Sequence, residues 1–197
     1  MRHLIFAIIF NSAFSCSSAN SGCSSPESSV MGKIIDESIQ IPSTDLCELN
    51  EQSIETITDK LISQPEEIIK SVDLDPNYEE CLLEMTNKLF DVNSISESKL
   101  KAIAALASKS DGFLTEYLFE SIASLFDSNL EELLNFILAN PKSYMYQLVV
   151  DGLGMRIAFY GEDKDKLEAD AIVSLNKESH IELVGQIFGD VNPDKFD

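Results

Sequence analysis

Apolar residues between Phe113 and Phe126 recur at intervals of three and four, which is the spacing of one face of an α-helix. This stripe consists of Phe113, Leu114, Tyr117, Leu118, Ile122, Leu125 and Phe126. Similar stripes run from Tyr78 to Leu89, from Leu130 to Leu138 and from Ile181 to Phe188. We therefore predict an all-α protein, a compact bundle of about six or seven short helices.

Residues that commonly start helices precede several of these stripes. Four pairs fit a capping box, in which side chains three residues apart satisfy backbone donors: Asp45 with Glu48, Ser94 with Glu97, Ser128 with Glu131, and Ser179 with Glu182. Pro65 and the pair Asp75-Pro76 indicate further starts, because proline is favoured at the first helical position.

The segment from Tyr144 to Tyr160 allows two interpretations. Asp151-Gly152 between apolar runs is a hairpin signal. However, a two-stranded hairpin would have no sheet to join, and the apolar residues also fit a helix. We favour a helix, in which Gly152 and Gly154 indicate close packing against a neighbour.

A repeat would change the architecture. The pattern from Ser94 to Ile103 matches that from Ser128 to Ile137 at a spacing typical of helical hairpin repeats. The correspondence fades after the first helix of each copy. A short α-solenoid of helical hairpins is therefore the alternative to a bundle.

The N-terminus has the parts of an export signal: Arg2 and His3, an apolar run from Leu4 to Phe10, and small residues after it. Nine serines follow between Ser12 and Ser29, a composition that buries little apolar surface. We predict a signal peptide at 1–15, a flexible Ser-rich linker at 16–42, a helical domain at 43–191 and a C-terminal tail at 192–197.

Ala13-Phe14-Ser15-Cys16 resembles the lipobox of bacterial lipoproteins, which implies that Cys16 becomes a lipidated N-terminus. Two positions depart from the usual motif, with Ala where Leu is commonest and Phe where a smaller residue is usual. Ala13 and Ser15 would also suit an ordinary signal peptidase. The alternatives are a lipoprotein of the cell envelope, a soluble periplasmic or secreted protein, and a cytosolic protein with a misleading start.

Two cysteines lie in predicted helices, Cys47 and Cys81, each beside apolar residues. Export would take them to an oxidising compartment, so we expect a disulfide between them. The alternative is two buried free thiols. A zinc site is disfavoured because no histidine lies near them in the sequence.

The charge of the chain limits its partners. It has 14 Lys and Arg residues against 34 Asp and Glu residues, a formal net charge of -20. Such a field repels nucleic acids and anionic bilayers, so we expect no nucleic-acid partner and membrane contact only through a lipid anchor. The acidity either serves solubility alone or attracts a basic protein partner, and Glu131 and Glu132 are the candidate binding residues.

Motifs for catalysis or for cofactors are missing. After the leader, the sequence has one histidine, His180, and one arginine, Arg156. A serine nucleophile usually needs a histidine base. We expect His180 to be a surface residue in a first helical turn. The acidic stretch from Gly161 to Lys166 lacks the spacing of an EF-hand. We predict no enzymatic activity, no cofactor and no metal.

Two function classes remain. The first is an exported protein that binds another protein through its acidic surface. The second is a carrier of a small hydrophobic ligand, which would need an apolar cavity lined by Phe113, Tyr117, Phe126 and Phe136. A solid core with an exposed apolar patch beside acidic residues would favour the binding protein.

Overall fold

A computed structural model describes residues 46–74 and 78–196, and this part of the chain contains ten α-helices. They are α1 (Leu46–Asn50), α2 (Ile54–Ser63), α3 (Pro65–Leu74), α4 (Tyr78–Leu89), α5 (Glu97–Ala107), α6 (Gly112–Ser128), α7 (Leu130–Ala139), α8 (Met145–Tyr160), α9 (Lys164–Val173) and α10 (Glu178–Asp190). The predicted all-α class is confirmed, with more helices than the six or seven expected. The predicted signal peptide and linker, with Cys16, lie outside the described residues.

Local signals explain the extra helices near the start. The Ser53 hydroxyl accepts a hydrogen bond from the backbone N–H of Thr56 at 3.4 Å and so caps α2. Pro65 begins α3, as the sequence predicts, because its fixed φ suits a first helical residue. These two signals divide residues 54–74 into two short helices.

Three of the predicted capping boxes are wrong in detail. Ser96, not Ser94, caps α5 by accepting from the backbone N–H of Lys99 at 3.4 Å. Ser128 is the last residue of α6, and α10 begins before Ser179, after Lys177. At the start of α5, Ser94 and Ser96 are both available and the pattern alone did not identify the one used; Asn129 and Lys177 precede α7 and α10 without a side-chain cap hydrogen bond. Asp45 and Asp75-Pro76 lie outside the described residues.

Helix α8 forms the centre of the fold and settles the question of Tyr144 to Tyr160. It is one continuous helix, so the favoured helical interpretation is confirmed. Met145 and all residues from Leu148 to Met155 are buried, and the helix contacts α5, α6 and α10. These eight consecutive residues make more than two turns, so this part of α8 is buried on all sides, as expected in the middle of a bundle.

The remaining helices surround this centre. α2 packs on α5, α1 on α4, and α9 on α10. The rings of Phe126 in α6 and Phe188 in α10 meet edge to face with centroids 6.0 Å apart. Within residues 46–74 and 78–196, no helix is both long and apolar enough to span a bilayer.

The end of the chain returns to α8. Pro193–Phe196 form a 3₁₀ turn within the segment that the sequence marks as a tail. The Phe196 ring lies 5.8 Å from that of Phe119, and Lys195 Nζ is 2.7 Å from Oδ1 of Asp151. Asp151 is buried, and an unpaired buried carboxylate is costly, so this turn compensates for a charge placed in the core.

Candidate functional site

The predicted pair Cys47 and Cys81 is joined in the structure. Their sulfur atoms are 1.98 Å apart, so a disulfide connects α1 to α4. The short helix α1 is held to α4 further by Lys88, whose ammonium group donates to the Asn50 carbonyl oxygen. The disulfide has a structural role, because it holds α1 against α4.

Glu131 and Glu132 both lie exposed in the first turn of α7, as expected of surface charges. They face different surroundings. Glu132 lines an open groove between α5 and α7, whereas Glu131 is close enough to His180 to affect its pKa. Adjacent residues in a helix do not share a face, which explains the separation.

The groove that Glu132 lines is an open concave surface between α5 and α7. It consists of two recesses of about 390 Å³ and about 630 Å³ that adjoin at Phe136 and Asn140. We call it the α5–α7 groove. Its walls come from α5 and α7, and its far end reaches the turn before α8.

Apolar side chains form the floor of the α5–α7 groove. Leu100 and Ala104 of α5 and Phe136 of α7 are buried and line it. Ile62 and Tyr144 line its larger recess and are 39% and 37% exposed. An apolar floor with exposed apolar edges is typical of a surface that binds another molecule.

The charges along the groove are divided by sign. The charged residues lining the smaller recess are Glu97 and Glu132, and those lining the larger recess are Lys101 and Lys142. Glu97 and Lys101 form an exposed ion pair at 2.8 Å, and ion pairs of this kind contribute little to stability. One end of the groove is therefore acidic and the other basic.

Tyr146 forms part of the wall near the basic end. Its hydroxyl donates to Oδ2 of Asp190 at 2.7 Å and so ties the start of α8 to the end of α10. Burial, together with this hydrogen bond and the charge of Asp190, raises the pKa of Tyr146 to about 12. The phenol is thus neutral in ordinary conditions and holds this wall in place.

A separate recess, outside the α5–α7 groove, lies around Arg156. Phe126, Leu153 and Leu167 contribute apolar lining, and its volume is about 300 Å³. The Arg156 guanidinium contacts Asp127 at 2.7 Å and Glu162 at 2.9 Å. Burial disfavours its charge, but these carboxylates outweigh burial and raise its pKa. The charge of Arg156 is therefore paired with two carboxylates of this chain.

The expectation that His180 lies on the surface is wrong. Its side chain is 1% exposed, and Nε2 lies 3.1 Å from Oδ1 of Asn135, a residue that also lines the α5–α7 groove. Nδ1 is buried and has no hydrogen-bond partner among the described residues. His180 aligns with the buried Leu183, Val184 and Ile187 at helical spacing, so the pattern of α10 contained the signal.

Burial is the main cause that lowers the pKa of His180, and the charge of Lys177 lowers it further, against an opposing effect of Glu131. The imidazole is therefore kept neutral. Within residues 46–74 and 78–196, no group of three or more His, Cys, Asp or Glu side chains is arranged to hold a metal ion.

The four aromatic residues expected to line a carrier cavity do not come together. Phe113 is 41% exposed, and Tyr117 donates a hydrogen bond to Asn87. Phe126 and Phe136 are buried but line different recesses. These side chains contribute to the core and to separate surfaces.

Comparisons with known proteins give no assignment: no protein-family model, no curated protein and no solved structure matches the chain.

Proposed function

We propose that this chain is an exported, non-enzymatic protein that binds another protein, and that the α5–α7 groove is its binding surface. The single observation that carries the proposal is the groove itself, an open depression with an apolar floor and carboxylates on one rim. Grooves of this form accept the apolar face of an amphipathic helix.

The charge of the chain supports a partner with basic residues. A net charge of -20 steers a cationic protein toward the surface and increases its association rate at low salt. Glu132 lies where such a residue would dock.

The export signal of the sequence and the Cys47–Cys81 disulfide together support a location outside the cytosol, because disulfides persist in oxidising compartments. Cys16 is the candidate for lipidation. We propose that the protein is a lipoprotein of the cell envelope, or that it is periplasmic or secreted.

Selection of displayed helical peptides on the full exported chain tests this function. We expect enriched peptides to combine apolar residues at helical spacing with basic residues at the end that meets Glu132. Ala105→Trp, which fills the groove, should weaken their binding about tenfold or more, a loss of about 1.4 kcal/mol. Leu138→Trp is the matched control, since Leu138 is 46% exposed on α7 and does not line the groove. Peptides that bind both variants equally, or no enrichment at all, would contradict the proposal.

A further inference from the structure

The most informative feature of the groove is the arrangement of its charges. In a chain of net charge -20, the larger recess has lysines, Lys101 and Lys142, as its charged lining residues. The smaller recess has glutamates, Glu97 and Glu132. A uniformly basic ligand would meet its own charge at the lysine end.

Two of these four side chains remain available to a ligand. Glu97 and Lys101 neutralise each other, but within the described residues neither Glu132 nor Lys142 has an ion-pair partner. Both are exposed. They therefore mark the acidic and the basic end of the groove.

The length of the groove sets the size of the ligand. Its α5 wall runs from Ser96 to Ser108, which is about 18 Å at the rise of an α-helix. A helix of about twelve residues, or three turns, spans this distance. Exposed Ile62 and Tyr144 provide apolar contacts at the lysine end.

On the basis of the proposed function, we infer that the groove binds an amphipathic partner helix of about three turns that is itself bipolar. An apolar stripe covers the floor, a Lys or Arg at one end faces Glu132, and an Asp or Glu at the other faces Lys142. The opposite charges fix the direction of the helix, because reversal brings like charges together at both ends.

Two synthetic peptides of equal composition test this inference. Each has about 14 residues with leucines at i, i+4 and i+7 on an alanine and glutamine background. One has lysines near its N-terminus and glutamates near its C-terminus, and the other has the reverse. Fluorescence anisotropy measures their affinity for the full exported chain and for the double variant Glu132→Lys/Lys142→Glu.

We expect one peptide to bind the natural chain about fivefold more tightly, as two exposed ion pairs permit, and the double variant to prefer the other peptide. The control Glu131→Lys/Lys70→Glu makes the same charge changes at exposed positions outside the groove and should keep the natural preference. Circular dichroism verifies that each variant is folded.

Equal binding of the two peptides, or a preference that the double variant does not invert, would overturn the inference. A dimer of the free chain that dissociates in the double variant would overturn it as well, because a second copy would then occupy the groove. If peptide selection succeeds and the inversion fails, the binding function stands and only the bipolar partner falls.

Discussion

Gly152 of α8 lies directly against Ile122 of α6: a Cβ added to the glycine would be 2.5 Å from Ile122 Cγ2 and 2.8 Å from the Phe119 carbonyl oxygen. No side chain fits in this space, so the absence of a Cβ lets the two helices approach. The same helix contains Gly154, whose added Cβ would be 2.9 Å from the Phe196 ring. The close packing predicted from these glycines is confirmed.

Gly152→Ala should therefore destabilise the protein. Overpacking costs about 1–3 kcal/mol, which exceeds the about 1 kcal/mol that alanine gains in helix propensity, and a backbone oxygen cannot easily move aside. Urea unfolding measures the change in the free energy of unfolding. Gly185→Ala in α10 is the control, since its nearest atom is Glu168 Oε1 at 3.8 Å, and it should raise stability by about 0.5–1 kcal/mol. A stabilising Gly152→Ala would refute the close approach.

Removal of the Cys47–Cys81 disulfide should lower the free energy of unfolding by up to about 4 kcal/mol in the chain-entropy model, because the bond closes a loop of 34 positions. Thermal unfolding of Cys47→Ser/Cys81→Ser measures the effect. Peptide mapping without reductant should find the two cysteines joined. Complete alkylation of both in freshly purified, folded protein would rule out the bond.

Stability should fall as the pH drops below the ordinary pKa of histidine. Because the folded-state pKa of His180 is lowered from 6.5, the unfolded chain binds a proton first. The contribution of neutral His180 is thus complete above about pH 6.5 and is lost as the pH falls toward the folded-state pKa. Urea unfolding between about pH 8 and pH 5 measures this effect. We expect the free energy of unfolding to fall less steeply with decreasing pH in His180→Gln than in the natural chain. If the free energy of unfolding falls equally steeply with pH in both proteins, then burial does not lower the pKa of His180.

The mature protein should begin at or near Cys16, since the N-terminus has the parts of a cleaved export signal. Mass spectrometry of protein purified from its native cells determines both the first residue and any lipid on Cys16. A lipid-bearing cysteine would identify an envelope lipoprotein, and an unmodified start would identify a soluble exported protein. An intact Met1 would end the argument for export.

The sequence predicted what depends on local periodicity and on pairs of conspicuous residues. The all-α class, the helix at Tyr144 to Tyr160, the start at Pro65 and the Cys47–Cys81 pair could all be predicted in this way. The start at Ser94 was wrong because Ser96 caps α5 instead, and the starts at Ser128 and Ser179 were wrong because α7 and α10 begin after Asn129 and Lys177 without a side-chain cap. The prediction that His180 lies on the surface was wrong, because it followed from the polarity of histidine and not from the position of His180 in an apolar stripe.

The groove could not be predicted, because it depends on how two distant helices pack. Glu132 and Lys142 are close in sequence, but their relation to Leu100 and Lys101 arises only when α5 lies beside α7. Sequence patterns gave Glu131 and Glu132 the same role. Only the packing separates them, with Glu132 on the groove and Glu131 near His180.

That separation provides the most direct measurement. A photo-crosslinking amino acid placed at position 132 or at position 131 of the full chain, in the cells that produce it, reports which face a partner touches. We predict a protein adduct from position 132, with the crosslinked segment an amphipathic helix that has a Lys or Arg at the site, and little adduct from position 131. Equal adducts from the two positions, or an adduct from position 131 alone, would contradict binding in the α5–α7 groove.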